Sequence, residues 1–197
     1  MSSGRLFVIS GASGVGKSTV LGMVMQDRSD LRFSVSATTR APRPGEVDGV
    51  DYTFVTREKF RQMVAEDAFL EYDDHMENYY GTPKAQVEEK LKTGSVILDV
   101  DVNGAMNVRK VRPDAVLIFI APPSLEDLEK RLLSRGDTSK EQMQLRLQRA
   151  DWEMAQSANY DHIVVNDRAR ACADQILKII SDHTEEIGGN ELCFTPL

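Results

Sequence analysis

Cysteine is nearly absent: the 197 residues hold two, Cys172 and Cys193. Neither sits in a C-x-x-C pair, and the three histidines (His75, His162, His183) are scattered, so there is no zinc spacing and no disulfide framework. Solvated or core positions are the reading for all five, and a reducing cytoplasm fits. No apolar run approaches the length needed to cross a bilayer. Met1-Ser-Ser-Gly-Arg5 leads at once into an apolar stretch and leaves no room for a signal peptide. The expected location is therefore cytoplasmic. Positive charge is in deficit, with 24 Lys and Arg against 31 Asp and Glu and a net charge of −7. That balance argues against a broad nucleic-acid surface, though local arginines can still build an anion pocket. Internal repeats and low-complexity segments are missing too. What is present, 41% hydrophobic and 28% charged residues, suffices for one α/β domain with a real core.

Residues 11–18 read Gly-Ala-Ser-Gly-Val-Gly-Lys-Ser, directly after the apolar run Leu6–Ser10. The pattern G-x-x-x-x-G-K-[ST] between a strand and a helix is a phosphate loop. Its glycines let successive backbone N–H groups of Gly11, Ala12, Ser13, Gly14, Val15 and Gly16 turn inward on a phosphate chain. A helix expected over Lys17–Asp27 adds the positive end of its dipole and carries Thr19 in its first turn. Lys17 reaches the β- and γ-phosphates, and the Ser18 hydroxyl suits Mg²⁺.

Further short apolar runs (Val96–Val100, Val116–Ile120, His162–Val165) alternate with helical segments, as in a parallel sheet buried on both faces. The expected class is a three-layer α/β/α fold. Thr82-Pro83 reads as a cap with proline at the first helical position, and Gly94 closes that helix. Ser124–Asp127 and Ser139–Gln142 resemble capping boxes. A last amphipathic helix is expected over Ala169–Glu186, with Ile176, Ile179 and Ile180 inward, and then a loose tail over 188–197. Between Ser34 and Gly81 the rhythm breaks into a polar, turn-rich insertion. Tyr52–Val55, Phe69–Tyr72 and Tyr79–Tyr80 look there like short antiparallel strands.

Three groups outside the loop carry chemistry. Val96–Asp101 is an apolar strand ending in acids, and Asp99 beside a phosphate loop orients Mg²⁺ directly or through water. Thr38–Gly45 holds Arg40 and Arg43, stiffened by Pro42 and Pro44, and arginine forks match phosphate oxygens. Tyr52 and Tyr80 can add phenolic donors. Taken alone, that loop reads equally as a solvated basic surface, and Glu71 as a surface carboxylate on an edge strand. The segment 131–149 carries Arg131, Arg135, Arg146 and Arg149, and Arg149 could equally be a solvated charge balancing Asp151 and Glu153.

The run Ser34-Val-Ser36-Ala-Thr-Thr-Arg40-Ala-Pro-Arg43-Pro-Gly-Glu-Val-Asp-Gly49-Val-Asp-Tyr52-Thr-Phe54 resembles the signature of guanylate kinases. So do Asn78–Pro83, Ile97–Asp101, Ile120–Ser124 and Arg131–Gly136, collinear from about Arg5 to about Ser181. The resemblance implies a core (about 1–33, 83–125 and 155–187), a small mixed β GMP-binding insertion (about 34–82) and a helical lid (about 126–154). It implies that Arg40, Arg43, Tyr52 and Tyr80 bind the GMP phosphate. Ser36, Glu71, Thr82 and Asp101 would face the guanine. A carboxylate such as Glu71 accepts from both N1–H and N2–H₂, whereas adenine would meet it with a lone pair. Arg131, Arg135 and Arg146 are nominated to close over the transferring phosphoryl group, with Asn166 at the adenine of ATP.

The activity so implied is phosphoryl transfer from ATP to GMP or dGMP with Mg²⁺. The acceptor phosphate is already ionised, so no general base is needed. Departures are small: Asn103 stands where guanylate kinases often carry Gln, and Thr82 where some carry Ser. A non-catalytic module of scaffold proteins usually degrades the phosphate loop, which is intact here. A sugar-phosphate kinase would not need Ser36, Glu71 and Thr82.

Overall fold

Four apolar runs and the two-residue strand Arg32–Phe33 form one parallel sheet. In the computed structural model, residues 4–75, 77–134 and 140–189 are described. Strand β1 (Leu6–Gly11) runs into the glycine loop and helix α1 (Lys17–Asp27). The chain then lays down β2 (Arg32–Phe33), β3 (Ala37–Thr38), β4 (Thr53–Phe54), α2 (Arg57–Ala65), and the hairpin β5 (Phe69–His75) and β6 (Asn78–Pro83). It returns through α3 (Lys84–Leu91), β7 (Val96–Asp99), α4 (Val102–Val111) and β8 (Val116–Ala121). Helices α5 (Leu125–Ser134) and α6 (Lys140–Ala155), strand β9 (His162–Val165) and helix α7 (Ala169–Gly189) complete it.

The large sheet has the order β2-β7-β1-β8-β9, and its pairings are parallel. Every residue of β8, Val-Leu-Ile-Phe-Ile-Ala, is buried, as a central strand covered on both faces requires. Helix α7 packs on α1 and buries Cys172, Ile176 and Ile180, with Ile179 half-buried against the same core. Burial pushes the Cys172 thiol up to about 11, so it is an inert core group. Cys193 lies outside the described residues. Helix α7 continues to Gly189, taking in the first two residues of the expected tail. Among the described residues, no helix is long and apolar enough to cross a membrane.

The second sheet has the order β4-β3-β6-β5. Its small core stacks Phe60 of α2 against Phe69 at 4.4 Å and Tyr79 at 5.3 Å between ring centres. Helix α2, which the polar sequence hid, starts at Thr56, whose hydroxyl accepts the Lys59 N–H. The expectation of antiparallel strands holds for β5 with β6 and fails for Thr53–Phe54, which pairs parallel with Ala37–Thr38. The reason is topological: a long loop, not a tight turn, joins β3 to β4. Thr82 does not cap α3 either. It lies within β6, Pro83 is the N-cap, and the Thr82 hydroxyl is engaged elsewhere. The Ser124 box forms as expected, its hydroxyl accepting the Asp127 N–H at 3.0 Å. Ser139 lies outside the described residues.

Candidate active site

The glycine loop is built by backbone that side chains would forbid. Gly14 and Gly16 have φ of 86° and 92°, and a Cβ on Gly14 would come within 2.7 Å of Leu132 in α5. The loop from Gly11 to Thr19 lines a cavity of about 300 Å³ together with Asp101, Arg149 and Glu153. Lys17 and Ser18 also open into a neighbouring cleft of about 280 Å³. That cleft is closed on the other side by Ser36, Tyr52, Glu71 and Tyr80 from the segment carrying the small sheet.

Glu71 owes its aim to a one-residue irregularity. Phe69 pairs with Pro83 but Glu71 pairs with Thr82, a bulge that puts two residues of β5 opposite one step of β6. The fully buried Thr82 donates its hydroxyl to Glu71 Oε1 at 2.6 Å. Thr82 is not among the residues lining the cleft; it stands behind the carboxylate. Burial pushes Glu71 up to about 7, and the neighbouring charges of Asp101 and Asp73 push the same way against the Thr82 bond. Asp73, which sequence reading passed over, lines the cleft and accepts Asn103 Nδ2 at 3.0 Å. Gly104 was also passed over. A Cβ there would lie 3.0 Å from Glu71 Oε2 and 3.1 Å from the Val100 Cβ. Gly104→Ala should therefore gain helix propensity worth about 1 kcal/mol while displacing a pinned carboxylate. Given the expectation that Glu71 faces guanine, the kinetic result is a KM for GMP raised about tenfold with kcat nearly kept. Steady-state kinetics on the variant checks it.

Arg40 is held by a partner that the sequence reading missed. Glu46 takes both its Nη atoms at 2.8 and 2.9 Å and also accepts the Arg43 N–H at 2.7 Å. These bonds hold Glu46 down to about 2 and keep Arg40 charged. The guanidinium lies 5.2 Å from the Tyr52 ring centre. Burial holds the Tyr52 phenol protonated above its ordinary range, so it is a donor. Arg43 is exposed and is not among the residues lining the cleft.

Asp99 ends β7 facing Lys17, with Nζ at 2.5 Å from Oδ1, and Lys17 also donates to the Val100 carbonyl at 2.8 Å. Asp101 caps α4 through the Gly104 N–H at 2.8 Å and lines both cavities. A third cavity, of about 330 Å³, lies behind the loop between Arg131, Asn166 and Asp167. Arg131 donates there to the Asp167 carbonyl at 3.1 Å. Asn166 donates Nδ2 to the Val15 carbonyl at 2.8 Å, which leaves Oδ1 buried with no hydrogen-bond partner among the described residues. Arg146 is half-exposed on α6 and borders none of these three cavities. Arg135 lies outside the described residues.

A parallel sheet, an amide cradle after its central strand and a Lys-Ser pair opening α1 define a P-loop nucleotide-binding protein. The guanylate kinase family model matches residues 3–183. A guanylate kinase of Thermus thermophilus is 48% identical over 186 residues, covering 94% of this chain and 84% of that protein. One from Latilactobacillus sakei is 47% identical over 183 residues, covering 91% and 90%. The crystal structure of guanylate kinase from Anaplasma phagocytophilum aligns with a TM-score of 0.76 at 33% identity, covering 92% of this chain and 87% of that one. The chain belongs to the guanylate kinase family.

Proposed function

We propose that the chain transfers the γ-phosphoryl group of ATP to GMP, giving ADP and GDP. One observation carries the reading: a single cleft has the phosphate loop's Lys17 and Ser18 on one wall and a buried carboxylate, Glu71, on the other. Two anionic nucleotides entering from opposite sides would meet there head to head. The segment of about 34–82 is then the acceptor subdomain and α5–α6 the lid.

The loop amides from Gly11 to Thr19 take the donor phosphates, and Lys17 exchanges Asp99 and the Val100 carbonyl for them. The orphaned Asn166 Oδ1 suits the exocyclic amine of adenine, with Arg131 beside it. On the acceptor side, Arg40, Tyr52, Tyr80 and Arg43 take the GMP phosphate. Glu71, Ser36 and Asp101 face the base, and Thr82 acts by holding Glu71. An oxygen of the GMP phosphate then forms the new bond to the γ-phosphorus while the bond to the β-phosphate bridging oxygen breaks. That acceptor is an anion, so positioning and charge stabilisation carry the step. Arg131, Arg135 and Arg146 neutralise developing charge as the lid closes. The donor set fits magnesium: the Ser18 hydroxyl and the Asp99 carboxylate, two hard oxygen donors, line the same cleft, and the Asp99 Oδ1 already faces a cation, Lys17, at 2.5 Å. Held by Ser18 and Asp99, that ion would screen the charge of the β- and γ-phosphates.

The test is ADP formation from ATP and magnesium, with and without acceptor. GMP and dGMP should stimulate it strongly, and AMP and ribose phosphate should stay near background. Absence of GMP stimulation would overturn the reading.

A further inference from the structure

The phosphate-side cavity holds two carboxylates, Asp101 and Glu153, where an anionic ligand is to enter. Glu153 is 3% exposed, and its Oε2 accepts the N–H of Ser13 in the phosphate loop at 2.6 Å. A buried carboxylate at a phosphate cradle repels the ligand unless a cation answers it. Lys17 is already committed to Asp99. Arg149 answers both acids: Nε bonds Glu153 Oε1 at 2.9 Å and Nη2 bonds Asp101 Oδ2 at 3.1 Å.

We propose that Arg149 is a positioning residue that ties the acceptor-base side of the cleft to the donor phosphate loop. The connection is continuous. It runs from the Ser13 amide to Glu153, to Arg149, to Asp101, and through the Gly104 N–H into the turn of α4 against which Glu71 packs. Sequence proximity pointed to Asp151 and Glu153 on the same helix, of which the structure pairs Glu153, four residues on. The bond to Asp101 reaches across 48 positions and is what makes the arginine more than a helix-surface charge. A guanidinium suits the task because its Nε and Nη2 face different partners at once. A lysine ammonium supplies the charge without the fork. The inference rests on reading the cleft as the site where GMP meets ATP.

Kinetics on Arg149→Met, Arg149→Lys, Glu153→Gln and the Met–Gln double variant tests it, with cooperative melting confirming that each folds. Arg149→Met should raise the KM for GMP about tenfold, although among the described residues α6 puts no side chain on the cleft that Glu71 lines. Glu153→Gln should raise it less and add nothing in the Arg149→Met background, because the two act through one chain of bonds. Arg149→Lys should recover the KM for ATP more than that for GMP, a split that general loosening of α6 does not give. It also keeps the test alive if Arg149→Met fails to fold. A KM for GMP within twofold of wild type in both Arg149 variants, or single effects that simply multiply, overturns the proposal. Failure of the functional reading is a different result: wild-type protein that forms no ADP with GMP. The Arg149–Glu153 link is then read from direct ATP titration. Effects on Kd that fail to multiply support the link, and effects that multiply overturn it.

Discussion

Lys17→Met should lower kcat by about 10²–10³-fold while leaving the KM for GMP within a few-fold. Lys17 is the one side chain of the phosphate loop that brings a full positive charge to the cleft, and it sits 2.5 Å from Asp99. Under the proposed mechanism, removing it costs the transition state a cation and also leaves Asp99 unanswered before the nucleotides enter. The two losses add in the same direction. Stability should change little, because both partners are about a quarter exposed and such pairs contribute only ~0–1 kcal/mol. A coupled ADP assay gives kcat, and a thermal melt separates a functional loss from an unfolded one. A kcat within tenfold of wild type would remove Lys17 from the chemistry.

Glu71→Gln should move function and stability in opposite directions. Guanine recognition needs an acceptor for two donors. Glutamine offers one acceptor and turns an NH₂ toward the other, so kcat/KM for GMP should fall about 100-fold and the preference over AMP should narrow. For stability, burial raises the folded-state carboxyl to about 7 from an ordinary 4.5. Between those values the native protein keeps a proton that the unfolded chain has released. Native stability therefore falls as pH rises through that window, and the loss is complete above it. The amide carries no such penalty. Above pH 7 the variant should be more stable than wild type by on the order of 2–3 kcal/mol, with Tm higher by roughly 4–10 °C at pH 8. The difference should shrink toward pH 5. In wild type the KM for GMP should also rise below pH 7, as the binding carboxylate is protonated. The GMP phosphate titrates near pH 6 in both proteins, so the gap between their profiles isolates Glu71. An unchanged GMP-over-AMP ratio in the variant would overturn the guanine assignment.

Much of the core was legible because its signals are local. Leu6–Ser10 and Val116–Ile120 are continuous apolar runs, and only a strand covered on both faces tolerates them. The glycine loop follows one of these runs directly. The insertion was harder to read because its order comes from distant partners. The two-residue strands Ala37–Thr38 and Thr53–Phe54 carry no periodicity, and each exists because the other side of the sheet supplies hydrogen bonds. Thr82-Pro83 has the local signature of a helix cap. Yet a threonine hydroxyl buried beside a carboxylate finds a better partner in Glu71 than in the next turn.

The site divides along the same line. Gly11 to Thr19 could be read without tertiary information, since adjacent residues make that cradle. Arg40 could be named, but its tether Glu46 could not, although it lies only six residues on. A polar loop offers many such pairings, and only the folded backbone selects one. Arg149 and Gly104 matter through residues 48 and 33 positions away, Asp101 and Glu71. No sequence pattern encodes either distance.

The slipped pairing between Phe69 and Glu71 has a bearing on redesign. Under the proposed function, base preference is written partly in the main chain. Grafting a glutamate and a threonine onto an evenly pleated ribbon would not reproduce it, because the acid would lose either its orientation or its hydroxyl neighbour. Conversely, deleting the single residue Leu70 would make Phe69–Pro83 and Glu71–Thr82 successive even pairs, so one side of the junction must turn over: either the carboxylate leaves the cleft or Phe69 leaves its stack on Phe60.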